Sequence, residues 1–298
     1  MDNFQICVPS FGREDWKGLE FLDQAGIARN RIWLFLHNRE EWYGYKSRKG
    51  GLKGINVIVT EVKEGKEGGV RGQKQYIMDK MMGLGWDRYV MLDDDIRGWY
   101  KLEIKVNRQG RILKRWQGIS FQKSVEECFD KADRIGLGRR VWSFGAFGNP
   151  HFASKEMEIG DGKCGGSGII GISKGWRTKI QGRLWVDVEI MLRAAVENQL
   201  VRFNWVHGMF DHNVKEGGGC YELHKGLRND HLWRRMVRGY SREDIRKFGR
   251  IELIRAMKEQ WKGGVCRQCS WKFPTKRTML EHQDITGHSG RQELRHSG

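Results

Sequence analysis

The chain is 298 residues long and 39% hydrophobic, with 13 Trp, 13 Phe and only three Pro, so it can bury an α/β core of ordinary size and has little that favours extended disorder. No stretch of about 18 apolar residues occurs, which excludes a membrane-spanning helix, and of six cysteines four are scattered, which is not a disulfide framework. The formal net charge is +17, and from Lys225 onward 18 Lys/Arg stand against 8 Asp/Glu. Such a tail is the electrostatic footprint of a chain that meets polyphosphate, although a solvated cationic face would carry the same charge. The opening MDNFQICVPSFGRED has no basic leader before an apolar segment, so no secretory signal is expected and a reducing, cytoplasmic setting is.

Residues 5–8 predict a short apolar strand that ends in a Pro9-Ser10 turn and a polar loop. Residues 31–36 and 55–60 predict the second and third strands. Over 70–82, Val70, Ile77, Met81 and Met82 recur at helical spacing and share one face. Residues 88–92 predict a fourth strand that runs straight into three aspartates. Strand and helix alternation at these lengths predicts a mostly parallel sheet covered on both faces.

Farther along, 99–106 and 111–116 flank a turn at 107–110 with glycine at its end, a β-hairpin pattern. Helices are predicted at 120–135, opened by Ser120, and at 188–198, entered through Asp187. Strands are predicted at 141–147, 169–172 and 200–206. Cys7 and Cys128 fall in apolar or helical stretches, where a free cysteine acts as a small buried hydrophobe. From residue 229 the pattern turns helical and basic. Ser241 and Asp244 form a capping-box pattern that opens a helix running to about 261, and Gly263-Gly264 then breaks the chain. Three segments result: a main domain over 1–228, a basic helical linker over 229–263, and a small finger with its tail over 264–298.

The last segment carries a metal-ligand spacing. Cys266 and Cys269 form C-x2-C, twelve residues separate Cys269 from His282, and five more precede His288. This lets a β-turn supply two thiolates and one helix face supply two imidazoles to a tetrahedral Zn2+. Phe273 and Met279 fall where a ββα finger needs its small apolar core, so residues 266–288 resemble the two-Cys two-His zinc fingers. Lys276 and Arg277 would hold phosphates without reading a base, with help from the basic helix of the linker.

Asp93-Asp94-Asp95 follows the fourth predicted strand directly. Ligands of open α/β sheets bind beyond the carboxyl ends of the strands. Aspartates at i and i+2 there point the same way and can share one hard divalent cation, Mg2+ or Mn2+, with a diphosphate. On the triplet alone, a solvated acidic turn is an equal reading. Other segments accompany it in order: Val8-Pro-Ser-Phe-Gly-Arg13, Val70-Arg-Gly-Gln-Lys74, Gly165-Gly-Ser-Gly-Ile-Ile-Gly171 and Asp187-Val-Glu189. In that order, residues 1 to about 215 resemble the GT-A-type nucleotide-sugar glycosyltransferases, and the resemblance implies a GT-A-like α/β fold. It implies that Pro9, Ser10, Arg13, Arg71, Gln75, Asp93 and Asp94 border a nucleotide sugar such as a UDP-sugar. It further implies that Asp95 holds the catalytic metal with a late histidine, His207 or His212. Asp187 or Glu189 would be the general base, Asp187 alternatively an ordinary helix cap.

A glycosyltransferase with a basic tail and a finger points to an acceptor that is itself nucleic acid. The chain is similar to the glycosyltransferases associated with TET/JBP oxygenases in phage genomes, related to the base J glucosyltransferase. That resemblance implies transfer of a sugar, glucose from UDP-glucose first among them, to a hydroxymethylated pyrimidine in DNA. Trp142, Trp176 or Trp185 would then support an extruded base, or else serve as core residues. Two other readings remain: a zinc-finger DNA-binding nuclease, for which residues 207–213 resemble His/Asn nuclease clusters without the ββα-metal spacing, and a glycosyltransferase acting on protein or glycan.

Overall fold

The computed structural model of the protein describes residues 4–10, 17–47, 51–60, 69–134, 138–144, 150, 153, 157–159, 168–181, 186–210, 240–249, 254, 264–266, 272–273 and 291–292. The chain divides into two compact units, Met1–Gly226 and Leu227–Gly298.

The first unit is an α/β structure. Its strands are β1 (Gln5–Ser10), β2 (Ile32–Leu36), β3 (Asn56–Val59), β4 (Arg88–Leu92), β5 (Ile96–Val106), β6 (Ile112–Gly118), β7 (Val141–Phe144), β8 (Met157–Ile159), β9 (Ile169–Ser173), β10 (Leu200–Phe203) and β11 (Val206–Phe210). Its helices are α1 (Lys17–Gln24), α2 (Arg39–Lys46), α3 (Gly69–Gly83), α4 (Phe121–Arg134) and α5 (Val186–Val196). Eight strands form one sheet in the order β3-β2-β1-β4-β9-β7-β10-β8, while β11, β5 and β6 form a second. The sheet is mixed: β1–β2, β2–β3, β1–β4 and β7–β10 pair parallel, whereas β9 runs antiparallel to both β4 and β7, and β8 to β10.

Both faces of the large sheet are covered, and the strand pleat shows how. Ile6 and Val8, Leu34 and Leu36, Val90 and Leu92, and Trp142 and Phe144 join a core with Leu22 of α1 and Phe121, Val125 and Phe129 of α4. The alternate residues Cys7, Phe35, Tyr89, Met91 and Val141 are equally buried on the opposite face. There α3 packs on β1 and α5 on β10 and β7, and Phe35 meets Tyr76 of α3 edge to face at 6.3 Å. Cys7 and Cys128 are buried free thiols, and burial pushes both far above the usual thiol range.

Several boundaries differ from the sequence reading. Pro9 and Ser10 are not a turn; they continue β1 opposite Phe35 and Leu36. The segment predicted as one strand over 200–206 is two, because the turn at Asn204-Trp205 carries the chain from the large sheet to the small one. The predicted polar loop holds α1. A further helix, α2, is capped by Asn38, whose side chain accepts from the Glu41 N–H (2.9 Å), while the Glu41 carboxylate accepts from the His37 N–H (2.7 Å). Trp142 and Trp176 are core residues, not base supports: Trp142 is fully buried against Phe129 (5.3 Å) and Phe203 (6.2 Å), and Trp176 donates to Glu197 (2.8 Å). Trp185 lies outside the described residues.

In the second unit α6 (Arg242–Phe248) has the expected capping box: Ser241 Oγ accepts from the Asp244 N–H (3.0 Å) and the Asp244 carboxylate from the Ser241 N–H (3.3 Å). The helix ends at Gly249, whose extended ψ of 150° stops it well short of 261. Three short strands, β12 (Gly264–Cys266), β13 (Lys272–Phe273) and β14 (Arg291–Gln292), form an antiparallel sheet with β12 in the centre.

Gly171 of β9 pairs with Trp142, and a Cβ there would overlap the indole. The closed core around Trp142 offers no relief, so Gly171→Ala is expected to cost about 2–3 kcal/mol and lower the melting temperature of this unit by roughly 5–10 °C. Thermal melts followed by near-ultraviolet circular dichroism measure it.

Candidate active site

In the order β3-β2-β1-β4 the chain lays strands outward from β1 on one side and then returns to its other side, so the order reverses between β1 and β4. Loops leaving the carboxyl ends of two such strands diverge and open a crevice. Ser10 ends β1 and the aspartates follow β4, which brings 84 residues of separation down to one hydrogen bond. Ser10 Oγ donates to Asp94 Oδ2 (2.7 Å) and accepts from the Tyr45 hydroxyl of α2 (2.5 Å). Asp94 is therefore buried and turned inward. Asp93 and Asp95, on either side of it in the turn that follows β4, are both half-buried.

The centre of the site is an ion cluster. Lys74 of α3 is only 3% exposed at its side chain and donates to Asp93 Oδ1 (3.1 Å) and to Asp187 Oδ1 at the start of α5. Burial works against the ammonium, but Asp187 and Asp93 outweigh it and hold its pKa well above the ordinary lysine value. The carboxyl of Asp93 moves the other way. Burial, with the neighbouring Asp187 and Asp95 charges, pushes it up to about 7 against the opposing pull of Lys74. Two carboxylates thus meet one ammonium, and a third, Asp95, acts on Asp93.

One stretch of α3 organises the rest. Gln73 Nε2 donates to the Ser10 carbonyl (3.0 Å) and more weakly to that of Phe35 (3.4 Å), tying the helix to the ends of β1 and β2. One turn apart on that helix, Arg71 and Gln75 clasp Ile180: Arg71 Nε donates to its carbonyl and Gln75 Oε1 accepts from its N–H, both at 2.9 Å. The next residue is held from α5, because Glu189 Oε1 accepts from the Gln181 N–H (2.9 Å). The same oxygen accepts from Arg193 Nε (3.0 Å) and Nη2 (2.8 Å).

The structure thus gathers Ser10, Asp93, Asp94 and Asp187 of the residues singled out from sequence, with Asp95 beside them. Pro9 is buried within β1, and Arg71, Gln75 and Glu189 are engaged with the 180–181 backbone. His207 lies in β11 opposite Tyr100, its ring stacked on Trp116 at 5.1 Å and 25°. Burial lowers its pKa, so the ring is neutral at physiological pH, and its Nδ1 has no hydrogen-bond partner among the described residues. No described contact joins it to the aspartates. Arg13, His212, Cys269, His282 and His288 lie outside the described residues, and of Cys266 only the backbone is described. Gln73 and Lys74 were missed as site residues. Both lie in the Val70–Lys74 segment read from the sequence, but a polar pair on a helix is ordinarily a solvent face and did not single them out.

No family model matches the chain, and no curated protein matches it. Among solved structures it is similar to glucosyl-3-phosphoglycerate synthase from Mycobacterium tuberculosis, in a complex with phosphoglyceric acid, at TM-score 0.40 and 9% identity over 72% of this chain and 74% of that one. A second is mannose-1-phosphate geranyltransferase from Thermus thermophilus, at TM-score 0.32 and 13% identity over 84% of this chain and 69% of that one. With both scores below 0.5, function is read from this chain's own residues.

Lys74→Met strands the carboxylates of Asp93 and Asp187 around an apolar side chain. Because those acids keep partial access to water, the expected loss is about 2–3 kcal/mol, below the roughly 3–5 kcal/mol of a fully buried pair. Asp93→Asn should cost less, since Lys74 keeps Asp187. Urea unfolding of the two variants checks the order.

Proposed function

We propose that the chain is a nucleotide-sugar-dependent glycosyltransferase of the GT-A type that moves a sugar onto a hydroxymethylated pyrimidine in DNA. The observation that carries this reading is the cluster at the β1/β4 crevice, where the ammonium of Lys74 draws Asp93 and Asp187 together and Asp95 stands near enough to raise the Asp93 carboxyl. Carboxylates gathered at the mouth of an α/β sheet suit a cation arriving with an anionic substrate. The donor set suits Mg2+ or Mn2+, which take one or two carboxylates and fill their shell with water and phosphate oxygens. No three His, Cys, Asp or Glu side chains among the described residues form a ready cage, and that binding habit does not need one.

In this reading Asp95 and Asp93 would hold the cation, with His212 as a further ligand; His207, opposite Tyr100 and about 13 Å along β5 from Ile96, stacks on Trp116 instead. A cation there neutralises the charge developing on the departing diphosphate. Pro9, Ser10, Arg13 and Asp94 border the nucleotide, while Arg71 and Gln75 act by fixing the 180–181 segment at its edge. Asp187 is the general base. Lys74 fixes its Oδ1, and the carboxylate removes the acceptor hydroxyl's proton as the new glycosidic bond forms and the bond to the diphosphate breaks. Glu189 is already committed to Arg193 and Gln181, so it serves to position α5.

The acceptor assignment rests on the +17 charge and on the finger. The β12–β13 pairing around C-x2-C supports a ββα finger in which Cys266, Cys269, His282 and His288 bind a structural Zn2+. The finger holds DNA and leaves the chemistry to the crevice.

Incubation with labelled UDP-glucose, Mn2+ and either hydroxymethylated or unmodified duplex is expected to label only the modified DNA. Equal labelling of both, or none with any common sugar nucleotide, sinks the reading. Asp95→Ala should abolish transfer and Asp187→Asn should lower kcat by roughly 10²–10⁴-fold. Truncation before Gly263 should weaken DNA binding and leave donor hydrolysis intact.

A further inference from the structure

The β5–β6 hairpin is anchored along its lower part, where Ile104 packs on the core and Lys114 Nζ donates to the Ala153 carbonyl (2.8 Å), and its tip stands clear. Leu102 is buried in the core and its partner Trp116 packs against it. Beyond that rung lie four more, ending at Val106 opposite Ile112, which at about 3.3 Å per residue extends the ribbon by about 13 Å before the turn. Along residues 103–115 stand Lys105, Arg108, Arg111, Lys114 and Arg115 against Glu103 alone. Glu103 is already paired with Lys105 (3.1 Å) and Arg115. Arg108 and Arg111, at the turn, are exposed and unpaired among the described residues.

The tip is also apolar. Val106, Ile112 and Leu113 are 67%, 63% and 53% exposed, three of the nine large apolar side chains so exposed among the described residues. The turn between them is held: Asn107 Oδ1 accepts from the Gln109 and Arg111 N–H groups (3.0 and 2.9 Å), and Gly110 takes φ +76°. An arm ordered in advance loses little freedom on binding.

We propose that this arm docks on double-stranded DNA, its cations on phosphates and its apolar tip against sugars and base edges. A two-stranded ribbon fits a major groove about 12 Å wide. Pleating puts Val106 and Ile112 on one face and Lys105, Leu113 and Arg115 on the other, with Arg108 and Arg111 at the turn between them, so cations and apolar surface lie together at the tip and on the second face. An anchor lying on a membrane needs those properties segregated to opposite faces. The inference deepens the DNA-acceptor reading yet stands on the arm's own residues.

The test uses full-length protein and a fluorescently labelled duplex of about two helical turns, with binding followed by anisotropy across a salt series. Arg108→Glu/Arg111→Glu is expected to weaken binding by roughly tenfold or more at about 0.1 M salt and to flatten the salt slope by about two. Val106→Ser/Ile112→Ser should weaken binding without changing the slope. An unchanged affinity and slope in the first variant overturns the proposal, as does a wild type that ignores duplex but binds phosphatidylserine vesicles through Arg108 and Arg111. Hydrolysis of UDP-glucose without acceptor, run in parallel, should be unaffected by both variants. Its absence from the wild type would count against the transferase reading and leave the arm's role in DNA binding standing.

Discussion

A lysine ammonium taken out of water must be compensated on the spot, and the whole site is built around how Lys74 is compensated. Its two partners come from distant parts of the chain, Asp93 after β4 and Asp187 at the start of α5. The pairing therefore fixes α3, the end of β4 and the entry to α5 at one point. Removing water strengthens both attractions, which is how they overcome the cost of burial. The neighbouring positions divide the remaining work by helical geometry. Gln73 reaches the strand ends, while Arg71 and Gln75, four apart and hence on one side, reach Ile180.

The sheet explains why such a cluster faces outward. A reversal of strand order lets the loops after β1 and β4 diverge, and the antiparallel β9 closes the far side of β4. The Asp93 N–H donates to the Gly168 carbonyl (2.9 Å), so the β4–β9 ladder continues one step past Leu92 and fixes the start of the acidic turn. Directly after Asp95 the chain enters β5, whose far end is the basic arm. Site and arm are thus consecutive along one stretch of backbone.

Much of this was legible from sequence for a simple reason. Strands buried on both faces read as short continuous apolar runs, so β2, β4, β9 and β10 announce themselves, and so does an acidic triplet placed directly after one of them. The hairpin and the capping box of α6 also carry local signatures. Helix α2 carried one as well, Asn38 with Glu41 three residues on, but its charged REEWYGYK body hid it. What stayed hidden depends on partners far along the chain. Lys74 reads as a surface lysine until two acids 19 and 113 residues away converge on it. The break between β10 and β11 is decided by β5 pairing, and no local pattern marks it.

Two pairs of acids show how position sorts chemistry that sequence leaves equal. Asp187 and Glu189 both lie in the first turn of α5, where the helix dipole favours either carboxylate. Glu189 is 1% exposed and saturated by Arg193, whereas Asp187 keeps 22% of its side chain open beside Lys74. A group that must exchange a proton with substrate needs the second environment and is disabled by the first. Within the triplet the same logic separates Asp94 from its neighbours. Its hydrogen bond to Ser10, itself held by Tyr45, makes the middle acid a structural pin between β1 and β4.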